Sequence, residues 1–555
     1  MTEFLKFKKS NCKNCYKCIR NCPVKSIHFS DNQANIIHEE CILCGHCVLG
    51  CPQNAKEIRN DLDTAKKLIA GGKPVYASIA PSFIANYDNV TIKSIEEALM
   101  KLGFTGVEET AVGATVVKKQ YEKLLAENTQ SVIISSCCPS INMLIQKHYP
   151  DALQYLAPVM SPMQVHCKDM RRRHADAKTI FIGPCIAKKA EGEDIVDCVL
   201  TFEELSQWLS SEKISFKYIE ENNNESRARL FPTTGGILRT MPDRNPSYAY
   251  IAVDGTENCI AVIEDVIKGN ISKCFIEMSA CTGSCIAGPA MDKEHRAPVR
   301  EYVAVNSYAG TDDYSVFDYK PSQVAKQYPS QAAMKIHVSP SAIEEVLRQM
   351  GKTKPEHELN CGSCGYHTCR EKALAVINGK ATLTMCLPYL KDKAESFSDT
   401  IIKNTPNAVI VLNENFVVQQ INTSACNLIN VHNPQNVVDE QVVRILDPKP
   451  FMDAYQNKRN IYNNYVYLAE YRKYVDQTVL YDSDYHIIIC IMRDITDEVK
   501  EREKKEQISR NTIETTDRVI EKQMRTIQEI ASLLGETTAE TKVALTKLKE
   551  SLKNE

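Results

Sequence analysis

Apolar and polar positions alternate in three different rhythms along the chain. Between Pro74 and Gly255, strand-sized apolar runs (Pro74–Ser82, Ser131–Ser136, Thr179–Pro184, Ala249–Gly255) alternate with amphipathic stretches such as Ser94–Gly103 and Val116–Glu127. That rhythm predicts an α/β domain with helices covering its sheets. From about residue 398 the period shortens: apolar and polar residues alternate around the turn Asn413-Glu414-Asn415 and then enter a helix. A later strand ends in Asp494-Ile495-Thr496. Beyond Val499 the chain is polar, charged and free of proline. Ile513, Ile520, Met524, Ile527, Ala531, Leu534, Leu545, Leu548 and Leu552 fall on one a/d-type register there, with Thr538 and Thr541 between them. A two-stranded coiled coil is expected, with Gly535 as a weak point; the alternative is one amphipathic helix packed back on its own chain.

At 555 residues the chain is too long for one core and should hold three or four domains. Its 67 basic and 70 acidic residues leave a net charge of −3. This excludes a nucleic-acid binder built on global basicity and a disordered acidic solubiliser. No apolar run approaches the roughly 18 residues of a membrane helix. The basic N-terminus runs into cysteines without an apolar core, so no secretory signal and a cytoplasmic location are expected. Cysteine changes the picture: 23 of them in such a chain argue for metal ligation over disulfides.

Residues 12–23 and 41–52 each read C-x2-C-x2-C-x3-C-P. Three cysteines at this spacing wrap one corner of an iron–sulfur cube, and the fourth crosses to the other cluster. Cys12, Cys15, Cys18 and Cys51 are therefore assigned to one [4Fe–4S] cluster, and Cys41, Cys44, Cys47 and Cys22 to the second. Two zinc sites are the alternative, but zinc seldom uses this doubled pattern. The head resembles a bacterial two-cluster ferredoxin, which implies single-electron transfer.

Three strand ends in the central region carry cysteines: Ser135-Ser136-Cys137-Cys138-Pro139, Gly183-Pro184-Cys185-x2-Lys188-x2-Glu191, and Glu277-Met278-Ser279-Ala280-Cys281-x2-Ser284-Cys285. These segments resemble the signature loops of [FeFe]-hydrogenases, and Ile79–Ser82 and Thr233–Gly236 match further pocket segments of that family. The resemblance implies that Cys138, Cys185, Cys281 and Cys285 hold a [4Fe–4S] cluster. Cys285 would bridge to a diiron unit carrying CO, cyanide and an azadithiolate, added by maturation. It also implies that Lys188 donates to one cyanide, that Pro81 and Ser82 serve the other, and that the Cys137 thiol relays a proton. The alternative for Lys188 is a solvated surface lysine, given Lys189 beside it. Departures accompany the matches. Positions where fast family members carry a proton wire fall, by ungapped counting, near Val117, Gln120 and Ala157, which cannot titrate. Two loop methionines become Gly183 and Ser279, and the glycine-rich end of the third loop becomes Gly288-Pro289-Ala290. Glu191 or Glu193 could supply another proton path, or Glu191 could only pair with Lys188 or Lys189.

Cys361, Cys364, Cys369 and Cys386, closed by Pro388, resemble a small four-cysteine [4Fe–4S] domain; a zinc ribbon is the rival. His367 reads as a turn residue. Residues 395–498 resemble a PAS sensory domain, with Asn422 at its post-strand asparagine and Cys426 and Cys490 as core packing. The expected organisation is multidomain, α+β and α/β. It comprises a ferredoxin-like head (1–58), a hydrogenase-like catalytic domain (59–350), a four-cysteine domain (351–394), a PAS domain (395–498) and a helical coiled-coil tail (499–555). Together these imply a slow, anaerobic, cytoplasmic sensory hydrogenase acting on H2 and protons, with four [4Fe–4S] clusters and the diiron unit. A ferredoxin-like electron partner, an unidentified downstream signalling protein and a homodimer through the tail are implied, with neither nucleic acid nor membrane as partner. The alternatives are a bulk ferredoxin-linked hydrogenase and a non-catalytic iron–sulfur scaffold.

Overall fold

Strands with apolar residues on both faces need cover on both, and that requirement shapes the centre of the molecule. The computed structural model describes residues 3–8, 11–30, 33–221, 224, 226–291, 298–332 and 338–551. The four predicted apolar runs become strands, three more join them, and the seven form two parallel sheets. The first sheet has the order Gly106–Glu109, Val75–Ile79, Lys178–Gly183, Cys198–Thr201. The second has the order Ala249–Asp254, Cys274–Ser279, Val132–Ile134. Strand-sized apolar runs carry no label for their partner, so periodicity alone could not divide them.

The helices begin where capping groups stand ready for orphan backbone N–H groups. Thr91 and Ser94 form a capping box for Ile92–Lys101, and Thr201 and Glu204 one for Phe202–Ser211. Ser161 caps Pro162–Arg173, with proline in the first turn.

In the head, Leu5–Phe7 pairs with Lys56–Ile58 and Ile27–Ser30 with Gln33–Ile36, both antiparallel. Between these strands the cysteine loops turn through left-handed backbone at Asn14, Tyr16, Leu43 and Gly45. Gly45 is needed twice over: its φ is +80°, and a Cβ there would stand 2.3 Å from Cβ of Pro289 in the α/β domain. The four-cysteine segment rests on the head. Lys25 Nζ donates to Gly365 O at 3.1 Å, Phe29 N donates to Lys380 O at 3.0 Å, and Lys380 pairs with Glu40 at 2.6 Å. Pro388 lies in the first turn of the helix Leu387–Asn404, where a missing N–H costs nothing.

Lys189, whose position suggested a solvated surface, is fully buried instead. Its ammonium lies 2.7 Å from Asp61 and 2.9 Å from Glu204, and donates to Val199 O at 3.0 Å. Asp61 stands at the N-terminus of Leu62–Ala70, just after the head, so this cation ties the linker to the sheet. Two carboxylates and a carbonyl make the buried charge tolerable.

Residues divide into two units by their contacts, the first ending at Leu390 and the second starting at Lys391. In the second, the antiparallel sheet has the order Val418–Ile421, Ala408–Asn413, Ile487–Asp494, Lys473–Asp482, Ile461–Leu468. Cys426 and Cys490 are buried in its core, as expected. Asn422 accepts from Val409 N and Ala425 N and donates to Ile402 O and Asn407 O, all at 2.8–2.9 Å. The final strand ends where Thr496 N donates to Asp494 Oδ1 at 2.9 Å and Tyr474 N donates to Thr496 Oγ1 at 3.0 Å. The helix Thr496–Ser551 follows, and its described side chains from Glu501 onward are exposed. Its surface position disfavours the tail packing back on its own chain; Leu552 of the expected register lies outside the described residues. Among the described residues no helix is long and apolar enough to cross a membrane.

Two changes test this architecture. Lys189→Ala leaves two buried carboxylates facing each other and should cost about 3–5 kcal/mol, read in urea unfolding from Trp208, the chain's single tryptophan. Asn422→Ala removes four buried hydrogen bonds and should cost about 2–4 kcal/mol, read as faster amide exchange along Ala408–Asn413.

Candidate functional site

Each of five parallel strands hands its following residues to one cavity. Ala80, Pro81 and Ser82 follow Val75–Ile79, and Thr110 follows Gly106–Glu109. Cys137 follows Val132–Ile134, Pro184 and Cys185 follow Lys178–Gly183, and Cys285 follows Cys274–Ser279. Loops beyond the carboxyl ends of parallel strands are where α/β folds collect chemistry. The cavity holds about 100 Å³ and is otherwise walled by apolar side chains, among them Met163, Phe181 and Phe231.

Cys138 stands at the N-terminus of the helix Pro139–His148, and Cys285 lies in the turn Ser284–Ala287 after Gly283 at φ +85°. Burial pushes the Cys281 thiol well up, and the nearby charges of Cys185, Cys138 and Cys285 push it further. Cys285 responds in the same way to burial, Cys138 and Cys185, and Cys185 is pushed up to about 11 by burial and Cys138. Cys185, Cys281 and Cys285 thus each feel the charge of neighbouring cysteines, Cys138 among them, and such a donor set suits a cluster, whose iron would relieve that repulsion. Cys285 presents its surface to the cavity, while Cys138 and Cys281 do not line it.

Two observations test whether an anionic diiron group suits this cavity. Ser82 Oγ is buried with no hydrogen-bond partner, a cost that a bound acceptor would remove. Lys188 lines the same wall. Burial works against its charge, but Glu191, Cys185 and Cys137 more than offset that, so its pKa is raised. The donor set fits. Lys188 Nζ lies 2.6 Å from Glu191 Oε2 and 3.4 Å from the Cys137 carbonyl oxygen, so its charge is already paired inside the protein. Ser161 donates to the same Glu191 oxygen at 2.8 Å, leaving Oε1 without a partner. Glu193 is half exposed and pairs with Arg59 at 3.4 Å, away from the cavity wall.

The Cys137 thiol is pushed up to about 12 by burial, against the pull of Tyr121 and Lys188. The Tyr121 hydroxyl lies 3.2 Å from its sulfur and accepts from Ser136 N at 2.9 Å. Nothing in the sequence singles out this tyrosine, which reads there as one apolar position on a helix. Glu277 stands in the sequence only as part of a motif. Burial raises it to about 7, although the backbone N–H groups of Leu238, Gly235 and Ile237 hold it down. Val117 and Ala157 are core residues, and Gln120 donates to Tyr319 O at 3.2 Å.

Among the remaining cysteines, several lie within reach of one another's charge. Cys18 feels Cys12 and Cys15, whereas Cys44 and Cys47 feel Cys22 and Cys41. Cys22 and Cys51 accept from the backbone N–H groups of Ser26 and Ala55 at 3.4 and 3.3 Å, as thiolate ligands favour. The second head set borders the cavity's cysteines: Cys44 shares a core with Cys138, and Cys41 and Cys47 share one with Cys185. On its other side Cys22 shares a core with Cys364. Cys361, Cys364, Cys369 and Cys386 line one small cavity. Beside them burial lowers Lys372 to about 8, and Lys372 donates to Thr382 O. Among the described residues no three His, Cys, Asp or Glu side chains close tightly enough for a single metal ion; a cubane takes each sulfur on a different iron.

Comparison with known proteins gives these sites a family. Residues 73–289 match the family described as the C-terminal domain of the iron only hydrogenase large subunit, residues 4–52 a 4Fe-4S dicluster domain, and residues 358–388 an Fe-S cluster family. The chain is 24% identical over 293 residues to iron hydrogenase 1 of Clostridium pasteurianum, covering 42% of this chain and 51% of that one. It is 26% identical over 360 residues to the periplasmic [Fe] hydrogenase large subunit of Nitratidesulfovibrio vulgaris, covering 51% and 85%. With the cytosolic Fe-S cluster assembly factor NAR1 of Yarrowia lipolytica it shares 25% over 239 residues, covering 36% and 49%. The chain thus spans about half the length of the first and third of these relatives. A solved variant of [FeFe]-hydrogenase HydA1 from Chlamydomonas reinhardtii aligns with 50% of this chain and all of its own, at 17% identity and a TM-score of 0.39. Residues 73–289 are thus similar to the C-terminal domain of the iron only hydrogenase large subunit, and are joined to segments that match a 4Fe-4S dicluster domain and a further Fe-S cluster family.

Proposed function

We propose that this chain is a slow [FeFe]-hydrogenase used for sensing, interconverting H2 with two protons and two electrons. The observation that carries the reading is the cavity on which Cys285, Cys185, Cys137, Lys188 and the unpartnered Ser82 hydroxyl meet. Cys138, Cys185, Cys281 and Cys285 would hold a [4Fe–4S] cluster, with the diiron unit beyond Cys285. When bound, that unit supplies heterolytic cleavage of H2 and accepts the electrons. The protein's share is to bind, orient and move protons. Pro81 and Ser82 hold one edge of the group, and Lys188, fixed by Glu191, places a positive charge on another. Met163, Phe181 and Phe231 keep water away. Cys137, on the wall and protonated at neutral pH, gives and takes the proton.

Low turnover follows from Val117, Gln120 and Ala157, which cannot titrate where fast family members carry a proton wire. The five-stranded unit, read as PAS-like, and the exposed apolar stripe of Thr496–Ser551 support an output by self-association, with a separate signalling partner. Exposed Cys15 marks the head face that a ferredoxin-like carrier would approach. An anaerobic cytoplasm suits so many cluster cysteines. The match with NAR1 favours one other reading, a scaffold without the diiron unit, for which Cys137, Lys188 and Ser82 would have no use.

Iron counting with infrared spectroscopy of protein expressed with maturation factors separates the two readings. CO and cyanide bands are expected, and cubane iron without such bands would leave the scaffold. Cys137→Ala should retain the bands and lose about 10²-fold or more in H2 turnover; full activity would remove Cys137 from the proton path. Truncation after Thr496 should leave turnover nearly intact and weaken self-association in sedimentation. An equally dimeric truncated form would refute the coiled coil.

A further inference from the structure

A second line of polar groups leaves the cavity at Thr110. Thr110 lines the cavity, and its Oγ1 lies 2.8 Å from Ser78 Oγ. Ser78 Oγ lies 2.8 Å from His166 Nδ1, and His166 Nε2 lies 3.2 Å from Glu108 Oε2. Ser78 and His166 are fully buried and Thr110 nearly so, whereas the Glu108 side chain is 27% exposed. Four side chains from three elements thus join the cavity to solvent with no step longer than 3.2 Å.

We propose that protons of the hydrogenase reaction cross between cavity and solvent along Thr110, Ser78, His166 and Glu108. The route rests on the hydrogenase reading and supplies what Val117, Gln120 and Ala157 lack. The Glu108 carboxylate fixes the imidazole with its proton on Nε2, so Nδ1 is free to accept from Ser78. An outgoing proton is taken by Thr110 Oγ1 as Thr110 passes its own to Ser78, and Ser78 passes its own to Nδ1. The Nε2 proton moves to Glu108, which releases it to water. Hydroxyl rotation and return of the imidazole to its first tautomer reset the chain, so one proton enters and one leaves, with no change in electrons.

The neighbours of these groups agree with that role. Arg173 donates to Glu108 Oε1 at 2.9 Å and is itself held by Asp169 at 2.7 Å. Burial raises Glu108, but bonds from His166 and Arg173 bring it down to about 2, so it rests as the carboxylate that faces His166 Nε2. Cys167, which also faces Ser78, is pushed up to about 12 by burial and keeps its proton. A purely structural site on this strand would be cheaper as apolar packing, as Val75, Ala77 and Ile79 show.

The test uses matured full-length protein and the infrared CO and cyanide bands after a pH jump without H2, beside H2 turnover. Ser78→Ala and Thr110→Val should slow the relaxation at least about tenfold and turnover about 10²-fold, with band positions and iron content unchanged. Thr110→Ser, which restores a hydroxyl, should bring most of the rate back. The two interruptions lie at different points, so if one fails to assemble the other decides. A merely structural role would lower thermal stability and leave the relaxation alone. Relaxation as fast as in the unsubstituted protein overturns the route while the hydrogenase reading stands. Absence of the bands from the unsubstituted protein overturns that reading, and the route with it.

Discussion

Parallel strands all end on the same side of their sheet, and the rest of this molecule depends on that geometric constraint. Val75–Ile79, Gly106–Glu109 and Lys178–Gly183 belong to one sheet, Val132–Ile134 and Cys274–Ser279 to another. Their following loops nonetheless line a single cavity. Cys137, Cys185 and Cys285, far apart in sequence, meet on it because the strands deliver them there. Helices capped by Thr91, Ser161 and Thr201 hold the sheets in place, and their apolar faces cover surfaces that parallel strands cannot leave wet.

The same economy governs how the cysteine-rich segments join. Gly45 lets the second head loop approach Pro289 more closely than any side chain would permit. Cys41, Cys44 and Cys47 thereby enter the cores that hold Cys185 and Cys138. Cys22, of the same set, shares a core with Cys364. The second head set therefore sits between the cavity and the four-cysteine segment. The buried Lys189 ammonium, with Asp61 and Glu204, fixes the linker on which that arrangement turns.

Polar groups at the cavity divide between a fixed ion pair and hydrogen-bonded hydroxyls and thiols. Lys188 is committed to Glu191 at 2.6 Å and serves as a fixed positive charge. Cys137 and Tyr121 form one hydrogen-bonded pair, and the hydroxyls of Thr110 and Ser78 form another. A site with apolar walls and few polar groups makes each of those groups matter, since an unpaired buried hydroxyl such as that of Ser82 is costly.

Short-range spacing was enough to mark the iron–sulfur segments that the family matches over residues 4–52 and 358–388 support, because a cluster ligand loop is a local object whose geometry is written in consecutive residues. Likewise the alternation around Asn413-Glu414-Asn415 and the Asp494-Ile495-Thr496 ending announced an antiparallel unit, and Asn422 stands at the helix start that its residue type favours. The a/d stripe of the tail was also legible, since helical periodicity needs no partner to be seen. Other features came only from the fold. The division of parallel strands into two sheets depends on pairing across more than a hundred residues, which no local pattern encodes. Lys189, beside Lys188 in sequence, is buried because helix rotation turns adjacent side chains to different surroundings. Thr110, Ser78, His166 and Glu108 are ordinary residue types at scattered positions, and only tertiary contact makes a hydrogen-bonded line of them. Local spacing marked which cysteines could serve as ligands, and the tertiary structure decided which side chains meet at the cavity and which hydroxyls and rings stand in line beside it, because distance across a fold is not a function of distance along the chain.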